Sequence, residues 1–162
     1  MPTLKPSIGT STANSYVSEA SANSYFEVHF NSQSWTNLDG STNATAASSL
    51  KSSLLIQATR EMDRTYRFHE AKYNTGIRGA TDYQALQFPR TSDTDNDGDV
   101  YILDDIKYAT YEQALWIQRR TMPRTSNDES ISNRSIIGKD CYNYLDKYVN
   151  RQVKPYGKYI WQ

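Results

Sequence analysis

The sequence predicts a mainly α protein: an antiparallel helical bundle of about four helices, with a long irregular loop and extended N- and C-terminal arms. Three observations lead there. Residues 43–68 carry apolar side chains at helical spacing. Residues 104–120 open on Asp104-Asp105 and close on Arg119-Arg120, the charge order that a helix dipole favours. Between these stretches, Pro and Gly punctuate polar excursions too long to be simple turns. The expected organisation is an N-terminal arm at 1–13, one helical domain at 14–153 with its loop at 81–104, and an extended tail at 154–162.

Each element has its own signal. Ser18 is the expected N-cap of the first helix, with Glu19 in the first turn and Ala22, Tyr25, Phe26 and Phe30 on one face. That helix should stop near Asn31, in a polar stretch holding Trp35 and Asp39-Gly40. In the second helix, Ala47, Leu50, Leu54, Ala58 and Met62 form the buried stripe, flanked by Leu55. Pro89 excludes a helix around itself and pushes Phe88 toward an extended backbone. The third helix pairs an Ile106, Ala109, Gln113, Trp116 stripe with Tyr108, Tyr111 and Leu115, and Pro123 lies just beyond it. Thr125 to Ser135 reads as a polar loop. A fourth helix follows Gly138-Lys139, capped by Asp140, with Cys141, Leu145, Tyr148 and Val149 facing inward.

The core available to these helices is thin. Hydrophobic residues make up 37% of the 162, and the 13 Tyr supply much of the bulk that aliphatic residues lack. Tyrosine fills a core while keeping a polar tip at its edge, and it is favoured at interfaces for the same reason. A formal net charge of +0 and a mean hydropathy of -0.78 exclude a polybasic nucleic-acid binder and argue against a membrane span. Cys141 is the sole cysteine, which excludes an intrachain disulfide and suits a reducing cytosol. Met1 to Pro6 lacks the apolar stretch of a signal peptide, so the Asn43 and Asn133 glycosylation triplets read as chance matches.

The zero charge conceals segregation. Residues 82–112 carry 2 basic and 8 acidic side chains, and residues 113–162 carry 9 basic and 4 acidic. An acidic loop followed by a basic tail suits pairing between copies or the gripping of an acidic partner.

Candidate chemistry is sparse. Asp93, Asp95, Asp97, Asp99 and Asp104, with Gly98 at the turn, reproduce the spacing of an EF-hand calcium loop, although Gln87-Phe88-Pro89-Arg90 stands where its entering helix belongs. The same residues also read as a solvated turn whose last acids cap the next helix. His29 and His69 are the only histidines and lack any metal-ligand or triad spacing, and Cys141 sits on an apolar helix face. The protein therefore reads as a non-enzyme with no cofactor beyond that calcium ion. The tail interleaves Lys154, Lys158 and aromatic Tyr156, Tyr159 and Trp161, a pattern for stacking on bases or anchoring in a partner's pockets. Arg60, Arg64 and Arg67, interleaved with Glu61 and Asp63, read as a solvated helix face.

The order of the motifs carries more than any one of them. Asn14-Ser15-Tyr16-Val17-Ser18 precedes the Tyr25-Phe26 pair. Leu54 to Arg60 follows with Met62-Asp63, then Gln84-Ala85-Leu86-Gln87-Phe88-Pro89-Arg90-Thr91, the Asp97-Gly98 turn, and Ile106 opening a helix with Ala109 and Ala114. This succession, over roughly residues 14–120, resembles the tailed-phage proteins labelled DnaT-like single-stranded DNA-binding, which look like head-tail connector (adaptor, head-completion) proteins. Phe88 stands where that family usually has Trp, and Lys107 where a Pro commonly opens the helix.

The resemblance implies a helical virion protein, assembled in the host cytoplasm as a ring of twelve copies between portal and tail or neck. Genomic DNA would pass through the ring without sequence recognition, and no membrane is involved. On this reading Lys154, Tyr156, Lys158, Tyr159 and Trp161 dock on the portal, while Gln87, Phe88, Pro89 and Arg90 meet a neighbouring subunit or the tail. Single-stranded nucleic-acid binding and calcium binding are the alternatives.

Overall fold

The computed structural model describes residues 3–30, 32–41, 44–78, 80, 83–121 and 136–148. Five α-helices and a closing 3-10 turn make up the regular structure of these residues, and they contain no β-strand. The expected helical bundle is therefore the fold.

Helix α1, Glu19–Val28, starts where its cap predicts. The Ser18 side chain accepts from the Ser21 backbone N–H, and the Ser21 hydroxyl in turn takes the Ser18 N–H. Two orphan donors of the first turn are thereby satisfied. Ala22 and Phe26 face the core. Phe30 does not: the helix has already ended at Val28, the phase is lost, and the ring is 98% exposed.

Helix α2, Gln33–Ser41, corrects the expectation of an irregular polar stretch. Its sequence has only Trp35 and Leu38 as large apolar residues, too few to announce a helix. Tertiary contacts form it instead. Trp35 stacks on Phe26 with ring centroids 4.7 Å apart, and its Nε1–H donates to Asn23 Oδ1 at 2.9 Å.

Helix α3, Ala44–Thr65, is the longest, and its buried stripe is rotated from the expected one. Ala47, Lys51, Leu55, Ala58 and Met62 point inward, while Leu50 is 44% exposed. The reason is helical phase. At about 100° per residue, a run of four-residue steps drifts about 40° each time, which carries position 50 about 120° from Met62. Lys51 and Leu55 stay within about 20° of it. Lys51 is tolerated inside because its Nζ donates to Asn23 Oδ1 at 3.0 Å and sits 5.4 Å over the Trp35 ring.

Helix α4, Asp104–Thr121, runs through the middle of the molecule. Ile106, Ala109, Ala114, Leu115 and Ile117 are all buried, as are the polar Gln113 and Gln118. It packs against α2, α3 and α5, so no single face suffices. Helix α5, Lys139–Leu145, has Gly138 rather than Asp140 at its N-cap, and Asp140 lies in its first turn. Gly138 is required by closeness: a Cβ there would lie 2.9 Å from Trp116 Cγ. Cys141 and Leu145 are fully buried, and a 3-10 turn, Asp146–Tyr148, follows.

The long excursion between α3 and α4 folds back on itself through isolated antiparallel bridges, Lys72 with Arg90, Thr75 with Tyr83 and Thr94 with Val100. The Phe88–Pro89 peptide bond in it is cis. Among the described residues, no helix is long and apolar enough to cross a membrane.

Candidate functional site

Helix α3 presents its cations and withdraws its acids. Arg60 and Arg64 are exposed on the helix, and Arg67 is exposed two residues beyond its end. None of the three makes a hydrogen bond or ion pair among the described residues. Glu61 and Asp63, expected to neutralise this face, turn inward. Glu61 takes Arg120 Nη2 at 2.9 Å and Gln113 Nε2 at 2.7 Å. Asp63 accepts from the Tyr16 hydroxyl and, at 3.0 Å, from the Gln87 backbone N–H. What remains outward is a basic row. Arg60 and Arg64 are four residues apart, about 6 Å along the axis.

The Gln84–Arg90 stretch organises the other side of that helix. Gln84 is buried, donating from Nε2 to the carbonyls of Leu86 at 3.0 Å and Pro89 at 2.9 Å, while its Oε1 accepts from Asn74 N. Phe88 packs edge-on against Phe68 and Tyr16, with centroids 4.7 and 5.9 Å away. Arg90 donates to Glu70 O at 3.0 Å and Gln87 Oε1 at 2.9 Å, and its guanidinium lies over the Phe68 and Phe88 rings. Gln87, Phe88, Pro89 and Arg90, expected to meet a neighbouring subunit or the tail, are engaged within the chain itself. Phe88, Pro89 and Arg90 are buried in the chain's own core, and Gln87 is spent on intramolecular hydrogen bonds. An aromatic followed by Pro-Arg is a packing motif here. Burial pushes the Asp63 carboxyl up to about 6, against the pull of its hydrogen bonds and of Lys72 and Arg90 nearby.

The acidic loop is a hairpin turn whose carboxylates serve the backbone. Asp93 is buried and accepts from the Arg90 N–H at 2.7 Å, and Asp95 Oδ1 accepts from Asp97 N and Asp99 N. Gly98, at φ +85, makes the turn possible. Asp104 pairs with Lys107 on α4 at 2.8 Å. The five residues proposed as calcium ligands thus do not converge: among the described residues, no three His, Cys, Asp or Glu side chains are placed to hold a metal ion.

The histidines lie apart in role. His29 Nε2 sits 2.9 Å from Glu112 Oε1, and its ring stacks on Tyr25, whose hydroxyl donates to the same oxygen at 2.6 Å. His69 is exposed and engages the 3-10 turn through its backbone N–H, which donates to Tyr148 O at 3.0 Å. Cys141 is fully buried, and desolvation holds its thiol well above the usual range, opposite to what a nucleophile needs. A cleft of about 470 Å³ opens between the His69-Glu70 corner, the Arg90–Asp93 loop and the Lys147-Tyr148 end of the chain's described part.

Residues 5–152 match the model of the family described as "Putative DnaT-like ssDNA binding protein". The chain belongs to that family. No curated protein and no solved structure matches it. In this DnaT-like family member the matched region takes in every helix of the described residues, the Gln84–Arg90 core motif and the α3 arginine row. The tail residues Lys154, Tyr156, Lys158, Tyr159 and Trp161 lie past the match and outside the described residues. The arginine row was visible in the sequence, but the inward turn of Glu61 and Asp63 was not, because a helical wheel places both beside the arginines.

Proposed function

We propose that this DnaT-like protein is a DNA-facing structural subunit, and in its specific form a head-tail connector that joins portal to tail or neck as a ring of twelve. The observation that carries the DNA-facing part is the exposed Arg60, Arg64 and Arg67 row with its interleaved acids withdrawn. Such a row meets phosphates and reads no base, which suits DNA passing without sequence recognition. The ring is supported by the order of sequence motifs and by apolar side chains left in water. Phe30 is 98% exposed, Val28 87% and Ile77 85%. In the connector reading these side chains are available to a neighbouring copy. The proposal assigns no chemical reaction to the chain and places it in the virion neck.

A second reading is single-stranded DNA binding by the free protein. The family's description favours it directly, and the same arginine row would serve it. Strand binders add exposed aromatic platforms to a basic track, and the tail's Tyr156, Tyr159 and Trp161 supply them in sequence alone.

Two measurements separate the readings. Particle mass, measured alone and with the portal protein, should reveal a ring or a stable complex in the connector reading; a monomer that ignores portal at assembly concentrations would sink it. Oligonucleotide anisotropy across a salt series should show strong preference for single over double strands in the second reading. Equal, weak and steeply salt-dependent affinity for both leaves only the phosphate contact of the first.

A further inference from the structure

We infer that the cleft beside Arg90 is a nucleobase pocket: it takes one unstacked base of a single DNA strand whose phosphates run along the α3 arginine row. The inference rests on the single-strand reading above and adds a base site to its phosphate contact.

The first argument is position. The row of Arg60, Arg64 and Arg67 descends α3 and passes its C-terminal end at Thr65. His69 and Glu70, which line the cleft, follow Arg67 by two and three residues, at most about 7 and 11 Å of backbone. The last cation of the row and the rim of the cleft are therefore neighbours.

The second argument is charge. Two cations, Arg90 and Lys147, and two carboxylates, Glu70 and Asp93, line the cleft. Lys147 is already paired with Asp105, and Asp93 already accepts from the Arg90 N–H. Such a lining gives no net pull on a phosphate or on a basic side chain. It suits a neutral group that carries donors and acceptors together on a flat frame, which is the chemistry of a base edge. Glu70 is an acceptor for a base N–H. Arg90 Nε is buried without a hydrogen-bond partner among the described residues, so a ring nitrogen or carbonyl oxygen has a donor to meet once the guanidinium shifts.

The third argument is stacking surface. Phe88, Tyr148 and His69 bring three rings to the lining, and the first two stand edge-on with centroids 6.2 Å apart. The His69 ring is exposed and is engaged in no hydrogen bond or ring contact among the described residues, which leaves it for a base to stack on. About 470 Å³ is the size of a small-ligand site, so a base enters only when freed from its pair.

The test uses the full chain and a short oligothymidylate carrying one photo-reactive 5-iodouracil. After irradiation, mass spectrometry should map cross-links to peptides holding His69, Phe88 or Tyr148. His69→Ala, a change at an exposed side chain, should weaken single-strand binding about ten-fold, the loss of one stacked base, and leave duplex binding unchanged. Arg64→Ala should weaken both alike. Thymidine monophosphate should compete only at far higher concentration, since it leaves the row untouched. If the native chain shows no preference for the single strand, the single-strand reading and the pocket fail together. If that preference holds but cross-links map elsewhere, or His69→Ala binds like the native chain, the pocket alone is overturned. Equal competition by the mononucleotide would also overturn it, by making the cleft a site for free nucleotides.

Discussion

The Tyr16 hydroxyl donates to the Asp63 carboxylate across 47 residues of sequence, and the Gln87 backbone N–H donates to both, at 3.1 and 3.0 Å. One buried acid thus ties the segment just ahead of α1, helix α3 and the Gln84–Arg90 loop together. Removing any partner strands another, because a buried donor or acceptor left alone loses its hydration as well as its bond.

That acid sets a pH dependence. Asp63 has its folded pKa raised to about 6 from 3.8, so between those values the folded state holds a proton that the unfolded state has released. Stability contributed by this group is therefore full below about pH 4 and falls as pH rises through 6. The full drop is on the order of 3 kcal/mol. Urea midpoints of the native protein minus those of Asp63→Asn, across pH 4 to 7, should fall with rising pH; a flat difference would refute the assignment.

Phe88→Ala should cost about 3–5 kcal/mol, since the ring is buried against Phe68 and Tyr16. Chemical denaturation of the protein reads this directly. A loss confined to assembly, with unchanged subunit stability, would return Phe88 to the interface role that its burial denies.

Gly138→Ala places a methyl group 2.9 Å from Trp116 Cγ. Since Gly138 has φ -69, an ordinary value, the expected loss of about 1–3 kcal/mol comes from the clash alone. A smaller side chain at position 116 should therefore recover part of it. If Trp116→Leu makes the Gly138→Ala variant worse by the full sum of both changes, the clash is not the cause.

Arg60→Ala and Arg64→Ala should leave the melting temperature nearly unchanged, because neither side chain is tied down among the described residues. Each should flatten the salt dependence of oligonucleotide binding by about one unit of slope. Identical slopes in the variants and the native chain would remove the row from the DNA-facing surface.

Cys141 should resist thiol reagents until the protein unfolds, since burial both blocks access and disfavours the thiolate. Its labelling rate should rise with urea in step with the unfolding transition. Rapid labelling of the native protein would mean that α5 opens from the body on its own.

Much of the fold was legible because its signals are local. The Ser18 cap, the acid-to-base polarity of α4 and the breakers around Pro89 each act within a few residues, and each element starts or breaks where they stand. Helix α2 was not legible, because Trp35 and Leu38 become helical through Phe26 and Asn23, which belong to another element. The α3 stripe was half legible: the helix was right, but successive four-residue steps drift around it, and the true stripe runs through Lys51, which the core accepts only because Asn23 and Trp35 receive its charge.

The candidate site divides the same way. The arginine row and the Gln-Phe-Pro-Arg stretch could be located by eye, but the burial of the stretch and the withdrawal of the acids beside the row could not. By itself the sequence determined that the chain is helical, where most helices start, and that charge is segregated along it. Only the tertiary structure decided that Glu61 and Asp63 turn inward and that Phe88 and Arg90 are buried. Propensity and capping are read from neighbours in sequence, whereas a carboxylate's direction depends on donors such as Tyr16 and Arg120 that only folding brings near.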